Sequence, residues 1–297
     1  MTTPTYFHVD VFANGPLTGN GLSVFLDTDG WAASTMLRLT QEMKQFESIF
    51  LSDASSTGTQ ARVFTVEEEL PFAGHPVLGA AAVLHRTQTP EASESSWTLR
   101  LAVGDVPVIT RKRDTHYLAE MNQGTPVFGK TLSCDAALPI LGRLGLTAGD
   151  LVAGVAPQVI STGLPYLILP VTPEALARTA INSLDLEASL AAIGAKFVLV
   201  LDVAGRELRT WDNLGHVEDI ATGSAAGPVG AYLFSLGLAD PAQAIEIAQG
   251  RFTGRPSKIG VRQDSANRLF VSGEVWPVAH GVLDSGALQD ADAPYGS

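Results

Sequence analysis

Residues 6–12, Tyr-Phe-His-Val-Asp-Val-Phe, alternate apolar and polar positions in the manner of a half-buried strand. An apolar run at 22–26 predicts a second strand, with Asn14-Gly15-Pro16 and Gly19-Asn20-Gly21 turning the chain between them. From Ser34, a residue that can cap a helix, Met36, Leu37, Leu39 and Met43 recur at helical spacing to about Lys44. The apolar run at 49–51 and residues 62–66 read as further strands, and residues 52–60, rich in Ser, Thr and Gly, as the loop between them. Glu47 therefore falls at a helix-to-strand junction. Strands at 98–103, 106–110 and 116–121 follow, and residues 122–130, with two glycines and a proline, predict a linker.

The stretch 69–84 breaks the strand pattern. Ala73-Gly74-His75-Pro76 opens a helix of small residues, with a glycine that allows a tight turn and a proline suited to the first helical turn. Free N–H groups at such a helix start can hold an anion. The second half repeats the plan: helices at 136–144 and 184–193, strands at 159–170, 197–202 and 207–211, then Ala221-Thr222-Gly223-Ser224 opening an Ala-rich helix that ends near Leu238. Strands at 245–249, 259–263 and 269–278 close the chain, and the tail after Asp284 reads as loose.

Laying Gly74 on Gly223 aligns the two turns at a shift of 223 − 74 = 149 residues in a chain of 297, about half its length. A shift of 163 − 21 = 142 sets Gly21-Leu22 on Gly163-Leu164, each opening an apolar strand. Short matches of small residues also arise by chance. If the halves are duplicates, two helix N-termini can face a common cleft and clamp one small carboxylate.

Composition narrows the classes. Hydrophobic residues at 45% and charged residues at 17% describe a globular chain, and a net charge of −12 argues against a nucleic-acid partner. The N-terminal residues lack a signal-peptide pattern and no apolar run is long enough to span a bilayer, so no membrane partner and a cytoplasmic location are expected. The single cysteine, Cys134, excludes an intramolecular disulfide and reads as a bystander. His8, His85, His116, His216 and His280 lack metal-ligand spacing, and neither a Gly-x-Gly-x-x-Gly fingerprint nor a Walker loop is present.

Four side chains carry candidate chemistry. Glu47 can act as a general base or acid if Phe46, Ile49 and Phe50 desolvate it; otherwise it is a solvated junction carboxylate. His75 can hold or transfer a proton, or belong to a structural turn. Asp219 can orient an amine or a histidine, or cap the turn before the helix. Ser224 lacks the Gly-x-Ser-x-Gly context of a nucleophile, which leaves capping or substrate binding.

Four motifs lie in order along the chain: Phe-Ala-Gly-His-Pro at 72–76, Ser-Thr-Gly-Leu-Pro-Tyr-Leu at 161–167, Glu-Asp-x-Ala-Thr-Gly-Ser-Ala-Ala-Gly-Pro at 218–228 and Gln-Gly-x-x-x-Gly-Arg-Pro-Ser at 249–257. With Val-Asp-Val-Phe at 9–12 and Gly19-Asn20, they resemble the phenazine biosynthesis PhzF-like proteins. The resemblance implies an α/β (α+β) fold of two pseudo-symmetric halves, each a curved, mostly antiparallel sheet wrapped around a central helix, as in diaminopimelate epimerases. The halves are expected at 1–127 and 128–297, with the tail after about 280 packing back on the first.

The implied activity is that of a cofactor-independent isomerase, without metal, similar to trans-2,3-dihydro-3-hydroxyanthranilate isomerase. Glu47 corresponds to the family's proton-carrying glutamate. His75 and Asp219 fall on its other catalytic positions, and Gly74, Gly223, Ser224 and Asn20 on substrate-binding ones. The implied partner is a small carboxylate substrate, and the resemblance allows a homodimer. An amino-acid epimerase, or a binding protein that keeps the fold without turnover, remain as alternatives. A two-thiol racemase is disfavoured, because His75 and Ser224 stand where related epimerases carry cysteines. Lys44-Gln45-Phe46 and Ile220 depart from the usual family residues.

Overall fold

A computed structural model describes residues 4–53, 58–183, 185–284 and 286. The chain divides into two compact units, one running to Met121 and joined by the chain from Ser272 onward, the other Asn122–Val271. The break thus falls ahead of the expected 127/128 division, and the last strand groups with the first half from Ser272 rather than from about 280. The loose tail expected after Asp284 lies, but for Gly286, outside the described residues, as do residues 54–57 of the expected 52–60 loop.

In the first unit β1 (Thr5–Val11), β2 (Asn20–Phe25), β3 (Glu47–Ser52), β4 (Gly58–Thr65), β6 (Glu94–Leu101), β7 (Gly104–Lys112) and β8 (Tyr117–Gly124) lie side by side in that order, with short β5 (Glu69–Leu70) against β4. The last strand, β16 (Leu269–Val282), follows β8 and pairs back onto β1, so eight strands close into a barrel. The helix α2 (Gly74–Gln88) is buried continuously from Gly74 to His85. At its closest approach to the strands only glycine fits. A Cβ on Gly79 would collide with Leu22 and come within 3.0 Å of Val11 Cγ2 and 3.2 Å of Val9 Cγ2.

Those contacts fix which strand face looks at α2. Val9, Val11 and Leu22 face it, and by the alternation of strand side chains Asn20 and Val24 share that face on β2. The opposite face carries Phe25, Phe50 and Phe64, which pack with Met36 of α1 (Ala33–Met43) in a separate aromatic cluster. Ser34 does not cap this helix: it lies in the first turn, and the capping position is Ala32 in extended conformation.

The second unit orders its strands β15 (Ser257–Gln263), β14 (Ile245–Gln249), β13 (Glu207–Thr210), β12 (Phe197–Asp202), β11 (Pro165–Val171), β10 (Gln158–Ser161) and β9 (Val127–Thr131). Helices α3 (Cys134–Arg143), α4 (Pro173–Arg178) and α5 (Leu186–Ala191) cover a core that includes Ile140, Leu141, Leu167, Leu169, Leu176, Leu190 and Trp211. The helix α6 (Gly223–Ser235) is buried along nearly its whole length. The expected linker at 122–130 is instead mostly strand: β8 runs to Gly124 and β9 starts at Val127, where backbone pairing with β10 outweighs the glycines and proline.

The two units repeat one pairing scheme. In the first, β1–β2 is antiparallel, β2–β3 parallel, β3–β4 antiparallel, β4–β6 parallel and β6–β7 antiparallel. In the second, β10–β11, β11–β12, β12–β13, β13–β14 and β14–β15 follow the same sequence. α2 and α6 each cross between the second pair of parallel strands. This is the two-half α+β architecture that the family resemblance implies, and no helix among the described residues is long and apolar enough to cross a membrane.

Candidate active site

The glycine turn of the first unit delivers His75 to Glu47. Ala73 is extended, α2 begins at Gly74, and the imidazole Nδ1 lies 3.3 Å from Glu47 Oε2, with both side chains more than nine-tenths buried. Burial pulls the His75 imidazole well below the ordinary histidine range, to about 3. Although its spacing is that of an ion pair, the contact at neutral pH therefore joins a carboxyl group to a neutral ring. The other ring nitrogen, Nε2, is buried without a hydrogen-bond partner among the described residues.

Of the three neighbours that the sequence offers to desolvate Glu47, Ile49 does share its face, while Phe46 and Phe50 do not. Glu47 opens β3, where alternation puts Ile49 and Leu51 on its face, both at most 1% exposed. Phe50 points to the opposite face and stacks on Phe25 at 4.6 Å, and Phe46 is 38% exposed. Lys44, in left-handed conformation at the C-terminus of α1, turns the chain so that β3 can begin at Glu47. Glu47 pairs in register with Leu22, and Asn20, 1% exposed, begins β2 on the same strand face.

The second unit builds its turn from polar side chains. Asp219 accepts from the Thr222 hydroxyl and the Ala221 amide, so it does shape the turn that its capping role foresaw. Ser224 Oγ hydrogen-bonds the hydroxyl of Tyr166 at 2.8 Å. The buried Gln249 ties the loop together: its Oε1 accepts from the Thr222 amide at 2.8 Å, and its Nε2 donates to the Asp219 carbonyl at 2.8 Å and to Thr222 Oγ1 at 2.9 Å. Arg209, held bidentately by Glu218 at 2.7 and 2.8 Å, fixes the residue before Asp219.

The structure therefore places Glu47, His75, Gly74 and Asn20 in the first unit and Asp219, Gly223 and Ser224 in the second, and it joins Glu47 to His75. Tyr166 and Gln249 were not singled out by sequence reasoning, though both lie within the quoted motifs. Of the remaining histidines, His85 is a satisfied core residue, bonded to Thr110 Oγ1 at 2.8 Å and the Ala92 carbonyl at 2.9 Å. Cys134 is exposed at the start of α3. No group of three potential metal ligands occurs among the described residues.

A buried carboxyl at the start of a strand, beside a neutral imidazole at a helix start, is the arrangement of an acid–base catalyst. Sequence comparison decides the family: the model of phenazine biosynthesis-like proteins, PhzC-PhzF, matches residues 9–281. This chain belongs to that family. Within it, a trans-2,3-dihydro-3-hydroxyanthranilate isomerase from Pseudomonas aeruginosa is 32% identical over 275 residues, covering 91% of this chain and 94% of the relative. A solved structure described as a predicted epimerase, also from Pseudomonas aeruginosa, superposes with a TM-score of 0.90 at 47% identity, covering 95% of this chain and 99% of that one. A probable proline racemase from Agrobacterium radiobacter shares the fold at 13% identity, with a TM-score of 0.63 over 98% of this chain and 95% of that one. This member of the PhzC-PhzF family is an isomerase.

Proposed function

We propose that the protein is a cofactor-independent isomerase that moves a proton within a small carboxylate substrate, of the kind named by its trans-2,3-dihydro-3-hydroxyanthranilate isomerase relatives. The observation that carries the reading is the buried contact of Glu47 with a neutral His75. A C–H bond on one carbon breaks as the Glu47 carboxylate takes its proton. The electron pair moves through the conjugated system, and the same carboxyl group returns a proton to another carbon. Glu47 begins and ends as a carboxylate, and no oxidant or reductant is consumed, so acid–base chemistry suffices.

A weak carbon acid needs a base held close and out of water, and burial of Glu47 supports that role. His75 steadies the carboxyl group without competing for its charge. The Gly74 amide and Asn20 in the first unit serve as substrate-binding groups, as do the Gly223 amide and Ser224 in the second, each helix start being suited to an anionic group. Asp219 serves as the acceptor for a substrate amine. Incubation in D2O with trans-2,3-dihydro-3-hydroxyanthranilate, followed by NMR, tests the reading: product or deuterium uptake is expected, and neither would contradict it.

The 47% identical relative described as a predicted epimerase favours a second reading, inversion at an amino-acid carbon. It would have to run on Glu47 rather than on thiols, since neither glycine turn carries a cysteine and the single cysteine, Cys134, opens α3. Loss of optical rotation from a single enantiomer would support it.

A further inference from the structure

At the start of α2 the residue after the glycine, His75, meets a strand side chain, Glu47. The start of α6 repeats the arrangement with different chemistry: Ser224 follows the glycine and meets Tyr166 on β11. The first pair includes a carboxyl group, which can take up and return a proton, whereas two hydroxyl groups do not serve as a base near neutrality. The Tyr–Ser pair is therefore equipped to bind, not to act as a base.

Two hydroxyls joined by one hydrogen bond keep a second proton to donate. If the phenol donates to Ser224 Oγ, the serine proton is turned outward, beside first-turn amides that have no partner within the helix. Tyr166 is built to hold that orientation: it is 3% exposed, and its ring packs against Phe197 with centroids 5.5 Å apart. Ser224 itself is only partly buried.

We propose that Tyr166 is a positioning residue, holding the Ser224 hydroxyl so that it donates to a substrate carboxylate at the N-terminus of α6. The proposal rests on the isomerase reading for the identity of the substrate. It is tested with anthranilate, a stable aromatic carboxylate, bound to the full chain and followed by calorimetry. Tyr166→Phe and Ser224→Ala should each weaken binding by roughly tenfold, the double variant should be no weaker than the worse single one, and thermal midpoints should fall by no more than a few degrees. In turnover, Tyr166→Phe should raise KM with kcat within about twofold.

Wild-type affinity in Tyr166→Phe, a double variant that loses the product of the two single losses, or a wild-type protein that fails to bind anthranilate would each overturn the proposal. Deuterium uptake by the wild-type protein is read separately. Anthranilate binding without any exchange contradicts the isomerase reading while leaving the Tyr166 comparison intact.

Discussion

The unfolded His75 side chain takes up a proton near pH 6.5, but burial in the folded protein holds it neutral down to about pH 3. Between those values the unfolded state binds more protons, so stability falls as the pH falls. From pH 7 to pH 5 this one group removes about 2 kcal/mol. Replacing it with a side chain that does not titrate, His75→Gln, should flatten the loss, as urea unfolding at pH 7 and pH 5 would reveal. An equally steep acid loss in the variant would place the sensitivity elsewhere. At this scale the sequence was partly legible. Gly74-His75 and Gly223-Ser224 were visible because a tight turn and a helix start impose local residue choices. Tyr166 and Gln249 were not, because their partners lie 58 and 27 residues away along the chain. Of the residues expected to shield Glu47, Ile49 does and Phe50 does not, because adjacent positions on a strand face opposite ways and Phe50 packs under α1.

Each central helix holds its N-terminus where its barrel or sheet allows, and that depends on how close the helix can approach the strands. α2 lies directly on Val9, Val11 and Leu22 at Gly79. Gly79→Val inserts methyl groups where a single Cβ already collides, and should destabilise the protein by about 1–3 kcal/mol, measured by chemical denaturation. A variant as stable as the parent would mean that α2 sits less tightly than described. The loop before α6 depends on Gln249 instead. Gln249→Ala leaves the Thr222 amide and the Asp219 carbonyl without their buried partner and should cost about 1–3 kcal/mol. Wild-type denaturation midpoints would argue against the clamp. Most elements could be read from periodicity, since strands and amphipathic helices carry their period in adjacent residues. The strand β9 was hidden among Gly124, Pro126 and Gly129, because its pairing with β10 is set by tertiary context and not by local propensity.

Barrel closure in the first unit joins the two ends of the chain, a relation that no local pattern carries. β16 lies between β8 and β1, so ending the chain at Val271 would leave both strands with bare edges. Such a truncation should yield an aggregating product without near-UV circular dichroism. A soluble protein that unfolds cooperatively would show that closure is dispensable. The repeated order of antiparallel and parallel pairs was foreshadowed by the 149-residue shift between glycine turns, since turn chemistry at equivalent places is the part of a duplication that sequence preserves most visibly. What the whole molecule accomplishes is isomerisation, and the central claim is that Glu47 carries the proton. The most direct measurement is the rate at which Glu47→Gln, shown by circular dichroism to be folded, converts trans-2,3-dihydro-3-hydroxyanthranilate. A general acid–base group of this kind contributes on the order of 10²–10⁴-fold. A fall in kcat of that size is expected, and a variant that keeps the wild-type rate would contradict the account.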